Sequence, residues 1–284
     1  MTNLVATAGS TATEGAPLAG TRLVISPELA SAVSNIQTGF DPYAPWVLAA
    51  VLLLAVWALA RLRARRPGLT GGDTRGLSVS GLAPAWCWAC VPALAWVPLA
   101  IAVQLGAPWV MRLDAWATRA VQGWGAPVSL WAARLSDMGD VLVLTVLTVV
   151  VAAVLLRRHQ RLLVGAWLLG ITANSLAIRV LKNLFERARP AHAPDLVTSG
   201  FSFPSGHAAS ALMVYGLLAW VLCDQWQPRW RWPIAGLAAL LVAGIAASRV
   251  LLGVHYLSDV LGGLLWAATA LLLTVGAVQQ ARRW

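Results

Sequence analysis

Seven stretches of this chain carry almost no charge and approach the length of a bilayer crossing: residues 43–60, 82–106, 141–156, 162–178, 208–223, 232–247 and 256–278. About 20 residues of α-helix cross a hydrocarbon core, and a helix satisfies its own backbone there. The pattern predicts an all-α, polytopic membrane helix bundle. Between 107 and 138 the rhythm changes: Trp109, Trp116, Trp124 and Trp131 recur every seven or eight residues, while Gly123, Gly125 and Pro127 interrupt the middle. That spacing suits two short amphipathic helices in the membrane interface with indoles at headgroup level, and equally well two helices packed on neighbouring spans. The first 40 residues, rich in Ala, Thr, Ser and Gly, lack a basic start followed by an apolar core, so they read as a flexible tail and not as a secretory signal. The expected organisation is a tail over 1–42, an extra transmembrane helix with its cytoplasmic linker over 43–81, and a six-helix membrane core over 82–284.

Composition agrees with a membrane protein: 59% of the 284 residues are hydrophobic and 11% charged, with a mean hydropathy of +0.71. The net charge of +10 raises the question of nucleic acid, and its distribution answers it. Loops 61–84, 157–161, 224–232 and 279–284 hold 12 of the 21 basic residues against only Asp73 and Asp224, while the remainder of the chain balances nine basic with nine acidic residues. Basic residues near span ends stay in the cytoplasm. The first set of loops is therefore expected inside, and the excess charge is explained by topology and anionic lipid, with no nucleic-acid partner. Cys87, Cys90 and Cys223 form no disulfide framework, and the CxxC of Cys87 and Cys90 lacks a second pair to complete a metal site; both are expected as small residues on a buried helix face.

On this topology three polar clusters fall on the outer side of the membrane. The first is LKNLFERARP, in which Lys182 and Arg189 are seven apart. If the helix runs on past the bilayer, two turns put both on one side before Pro190 ends it. A snorkelling basic rim has the same appearance, but Lys182 is the sole lysine against twenty arginines, which suggests a place where a compact ammonium is needed. The second cluster is PSGH, Pro204 to His207. Proline and serine suit a helix start, Gly206 lets the backbone approach a ligand closely, and exposed amides with the helix dipole form an anion site. A capped helix with an interfacial histidine is the plainer alternative. The third is SRVLLGVHYLSD, Ser248 to Asp259, where His255 and Asp259 are four apart. On one helix face, the carboxylate would accept from one imidazole nitrogen and leave the other free. A carboxylate inside an apolar run is functional by default.

Three cations around backbone donors suit a phosphoryl group, and two histidines supply a nucleophile and a proton donor. The pattern K-x6-RP, then PSGH, then SR-x5-H-x3-D resembles the three-part signature of the type-2 phosphatidic acid phosphatase superfamily. That group includes undecaprenyl-diphosphate, phosphatidylglycerophosphate and glucose-6-phosphate phosphatases and the vanadium haloperoxidases. All fixed positions match in order, between Lys182 and Asp259. The resemblance implies a metal-independent phosphatase without cofactor, in which His255 attacks phosphorus, oriented by Asp259, to form a phosphohistidine. It implies that His207 protonates the leaving oxygen and then activates water. Lys182, Arg189 and Arg249 would hold the nonbridging oxygens, with the Ser205 hydroxyl and Gly206 amide completing the cradle. His159, in a cytoplasmic loop, and His192 are expected to take no part.

The resulting expectation is a phosphatase of the cytoplasmic membrane, active on its outer face toward a lipid phosphate or diphosphate. Undecaprenyl diphosphate is modestly favoured, and phosphatidate or phosphatidylglycerophosphate is the alternative. A vanadate-dependent haloperoxidase fits less well because the members compared are soluble. An anion transporter would spread its charges through the membrane's depth and repeat them in two halves.

Overall fold

The computed structural model describes residues 85–121, 126–190, 200–225 and 227–283. All of them lie within the compact unit 42–284. The candidate span 43–60, the tail, Trp124 and His192 lie outside the described residues. The helices are α1 (Ala85–Trp88), α2 (Cys90–Gln104), α3 (Pro108–Val121), α4 (Ala126–Asp137), α5 (Val141–Arg157), α6 (Arg161–Phe185), α7 (Gly206–Gln225), α8 (Arg231–Leu251) and α9 (Leu257–Ala281), with a 3-10 turn at Pro228–Trp230. No strand occurs among the described residues. Among the described residues six stretches are long and apolar enough to cross a membrane: Ala85–Gln104, Val128–Arg157, Arg161–Phe185, Gly206–Gln225, Pro228–Leu251 and Leu257–Ala281. The chain is a multi-pass membrane protein.

Helix α7 is apolar on all sides, as a helix enclosed by others must be, and packs against α5, α6, α8 and α9. Its Met213, Val214 and Leu217 meet Leu144, Leu147, Trp167, Ile245, Val275 and Val278 in the main core. At one end, Arg282 pairs with both oxygens of Asp224 at 2.9 Å each and Gln225 donates to Gln160 at 3.0 Å. This end carries the described arginine-rich loops, with Arg157, Arg158, Arg161, Arg229, Arg231, Arg282 and Arg283. The opposite end collects the end of α6, the starts of α7 and α9, and the end of α8, and therefore all three polar clusters.

Segment 107–138 contains the two expected short helices, α3 and α4. Trp109, Trp116 and Trp131 point outward, at 50%, 61% and 72% exposure. Packing against neighbouring spans does not account for these three. The expected burial of the two cysteines is corrected: they lie at the α1–α2 junction, where Cys90 is exposed and Cys87 half-buried. A small apolar residue is accepted on an exposed face of an apolar helix as readily as in a core.

Candidate functional site

Lys182 is in the last turn of α6, but the helix stops at Phe185, short of Pro190. Glu186 adopts the left-handed conformation, φ 43°, and its N–H closes on the Lys182 carbonyl at 3.0 Å. The expected two-turn helical register between Lys182 and Arg189 is thus corrected. Arg189 reaches the site from the irregular segment that follows α6, donating from Nε to the Gly200 carbonyl (3.0 Å) and from Nη1 to the Val254 carbonyl (2.9 Å). Lys182 Nζ donates to the Phe201 carbonyl, so the first cluster clasps the segment that leads into PSGH.

Ser205 immediately precedes α7, and its carbonyl accepts the first helical bond, from Ala209 N at 3.1 Å. Its N–H donates to the Asp259 carbonyl at 2.9 Å, tying the helix start to α9. Such intimate contact requires small residues on α9. A Cβ at Gly263 would meet the Ser205 carbonyl oxygen at 2.5 Å, and one at Gly262 would collide with the Phe203 ring. Ser205 Oγ is fully buried and makes no hydrogen bond. It is therefore an uncommitted donor beside the Gly206 amide. His207 stands in the first turn of α7, with Arg249, His255, Lys182 and Arg189 within electrostatic reach.

His255 is not on a helix. It sits in the bend between α8 and α9, with its N–H on the Arg249 carbonyl at 3.2 Å. The expectation of a shared helix face with Asp259 is corrected, although the two side chains do meet: His255 Nδ1 is 3.5 Å from Asp259 Oδ2. Asp259 occupies the third position of α9, where Oδ2 also accepts from Tyr256 N at 2.9 Å. A helix start is a favourable place for a carboxylate, which makes full burial tolerable. On the other side of the ring, His255 Nε2 lies 3.3 Å from Arg189 Nη1. Arginine donates only. Nε2 therefore presents its lone pair, and the ring hydrogen is on Nδ1, toward Asp259.

Burial holds the His255 pKa down to about 4; Asp259 opposes this, while Arg189 and Arg249 reinforce it. The imidazole is neutral at neutral pH, with its Nε2 lone pair turned toward the Arg189 cation. Arg249 is buried at the end of α8, donates to Ser136 Oγ from Nη1, and keeps Nε unpartnered. The structure thus gathers Lys182, Arg189, Ser205, Gly206, His207, Arg249, His255 and Asp259 at one end of the bundle. His159 is exposed at the other end, at the start of α6. Among the described residues no group of three or more His, Cys, Asp or Glu side chains is arranged to hold a metal ion.

The family model of the PAP2 superfamily matches residues 163–283. A decaprenylphosphoryl-5-phosphoribose phosphatase of Mycobacterium tuberculosis is 33% identical over 164 residues, which is 55% of this chain and 86% of that protein. The chain belongs to the PAP2 superfamily. Phosphatidylglycerophosphatase B of Bacillus subtilis is 39% identical over 122 residues, 41% of this chain and 59% of the relative's length. A lipid A 1-phosphatase of Rhizobium johnstonii is 33% identical over 122 residues, 39% of this chain and 46% of that protein. The crystal structure of a transmembrane PAP2-type phosphatidylglycerolphosphate phosphatase from Bacillus subtilis aligns with a TM-score of 0.62 at 27% identity, covering 69% of this chain and 98% of that one.

Four polar residues at this PAP2 site escaped the sequence reading. Ser202 donates to Asp259 Oδ2 and lies 3.4 Å from His255 Nδ1. Arg187 donates to Asp259 Oδ1 at 2.6 Å and to Asp114 Oδ2 at 2.7 Å. Burial works against the Arg187 charge, and the two carboxylates more than offset it, so its pKa is raised. Ser136 takes the Arg249 guanidinium. Asp114 did leave a signal: it falls on the stripe Val110, Asp114 and Ala117, the buried face of α3. A carboxylate at such a position needs a cation.

Proposed function

We propose that this PAP2 protein is a membrane phosphatase that removes the terminal phosphate of a lipid phosphate or diphosphate through a phosphohistidine on His255, at the outer face of the cytoplasmic membrane. The observation that carries this reading is the neutral His255, oriented at Nδ1 by Asp259 and flanked at Nε2 by Arg189. Its lone pair points where a phosphoryl group held by Lys182, Arg189 and Arg249 would lie. Nε2 attacks phosphorus while the bond to the lipid oxygen breaks, and His207, which takes up a proton as the bound phosphate's negative charge offsets the surrounding cations, delivers that proton to the lipid oxygen. Water then attacks the phosphohistidine, gives a proton to His207, and the P–N electron pair returns to Nε2. Ser205 Oγ, buried without a partner, and the Gly206 amide donate to the nonbridging oxygens as charge develops.

The outer-face assignment rests on charge: the arginine-rich loops among the described residues gather at the end away from the site. The outward tryptophans of α3 and α4 suit a site loaded from the lipid interface. The relatives' names cover both glycerolipid and polyprenyl substrates, so the shared chemistry is a phosphate carried by a membrane lipid. The test is phosphate release by purified protein in detergent, offered phosphatidylglycerophosphate, phosphatidate, undecaprenyl diphosphate and decaprenylphosphoryl-5-phosphoribose, with and without a chelator. Turnover of at least one, unaffected by chelation, is expected. Release from none, or release that requires a divalent cation, refutes the proposal.

A further inference from the structure

The family match begins at residue 163, yet one buried side chain at the site comes from α3, well before it. Asp114 is 3% exposed. Its Oδ1 accepts from Ser258 N at 2.9 Å, and its Oδ2 accepts from Ser258 Oγ and from Arg187 Nη2, both at 2.7 Å. The other guanidinium nitrogen, Nη1, donates to Asp259 Oδ1 at 2.6 Å and to Ser258 Oγ at 2.7 Å. The Arg187 plane lies over the Tyr256 ring, 4.4 Å from its centroid. One guanidinium thus bridges two buried carboxylates from different elements, α3 and α9.

We propose that Arg187 and Asp114 are positioning residues for the His255–Asp259 pair, so that α3 forms part of the catalytic unit; this rests on the phosphatase reading above. Asp259 has two oxygens and one must face the imidazole. Arg187 occupies Oδ1, while Oδ2 takes Ser202 Oγ, Tyr256 N and the approach to His255 Nδ1. Without Arg187, the carboxylate loses the partner that fixes its rotation. Asp114 spends both oxygens within the clamp and has none left for substrate. Its effect on the reaction passes through Arg187 and Ser258. A guanidinium fork is the group that can hold two carboxylates at once, and an ammonium on the same stem cannot reproduce the pair of bonds.

A purely structural pin and a positioning device differ in what each molecule of folded enzyme can do. Arg187→Gln, Arg187→Lys, Asp114→Asn and the double variant Arg187→Gln/Asp114→Asn are purified full-length, and kcat and KM are expressed per mole of monodisperse protein. Orthovanadate affinity is measured by calorimetry as a readout independent of turnover. Loss of such supporting partners costs about 10- to 100-fold elsewhere. Arg187→Gln is expected to lower kcat by that factor with KM within about twofold, and to weaken orthovanadate by about tenfold. Arg187→Lys recovers only part of kcat, Asp114→Asn loses less than Arg187→Gln, and the double variant is no worse than Arg187→Gln alone. If Arg187→Gln does not fold, Arg187→Lys and Asp114→Asn carry the same comparison. A kcat within about twofold of wild type in folded protein, with losses only in yield or melting temperature, overturns the proposal. So does a raised KM at unchanged kcat. If wild type hydrolyses no lipid phosphate but binds orthovanadate in an Arg187-dependent way, the phosphatase reading falls and the positioning role stands. Vanadate affinity equal in wild type and variants, or absent from wild type, overturns it.

Discussion

Gly263→Ala adds one methyl group at the tightest backbone contact in the site. The new Cβ would sit 2.5 Å from the Ser205 carbonyl oxygen, where ordinary contact begins at 3.4 Å. The neighbour is main chain and cannot swing aside as a side-chain tip can. Ser205 is also tied to α9 through its N–H on the Asp259 carbonyl, so the strain is shared by the helix start and by Asp259. Relief requires the two segments to part by about 0.9 Å, from 2.5 to 3.4 Å. A displacement of about 1 Å at a reacting site costs on the order of 10²-fold in rate, and overpacking adds about 1–3 kcal/mol of destabilisation. The assay is phosphate release per mole of folded protein, beside thermal unfolding. Gly165→Ala is the control, since a Cβ there meets nothing within 4 Å and gains up to about 1 kcal/mol of helix propensity. The expected result is a kcat reduced about 100-fold in Gly263→Ala, with Gly165→Ala indistinguishable from wild type. A Gly263→Ala enzyme within about twofold of wild type would refute the idea that close packing of α9 on PSGH sets the site.

His255→Ala should abolish turnover, whereas His207→Ala should be milder on a diphosphate, whose leaving group needs less protonation; equal mild losses on both would remove the assigned roles. Lys182→Arg keeps the charge but should lose most activity in phosphate-release assays, and retention within about twofold would reduce Lys182 to a helix rim. His255 attacks as the neutral imidazole, and its pKa is held near 4, below the usual 6.5. The acid limb of kcat/KM should therefore have its midpoint near pH 4, and a midpoint near 6.5 argues against His255 as the nucleophile. In a background lacking Cys87, Cys90 and Cys223, an impermeant thiol reagent on intact cells should label a cysteine at Ser199 and spare one at Gln160; the reverse pattern places the site in the cytoplasm.

Long apolar runs and their charged ends depend on composition along the chain, so the six crossing stretches among the described residues were legible without coordinates, as was the gathering of the described loop arginines at one end. That the three polar clusters meet at one end of the bundle was legible for a related reason: PSGH and SR-x5-H-x3-D are local patterns, and alternating spans bring them to the same end. The helical register was not. Lys182 to Arg189 and His255 to Asp259 have helical spacing, but Glu186 turns left-handed after Phe185 and α9 begins only at Leu257. Helix ends are set by which partners the last backbone groups find, and spacing does not encode that. The Arg187 bridge between Asp114 and Asp259 joins residues 73 and 72 positions away from it. No local pattern marks such a pair, because the burial that makes each charge need the other exists only once α3, the end of α6 and the start of α9 have packed together.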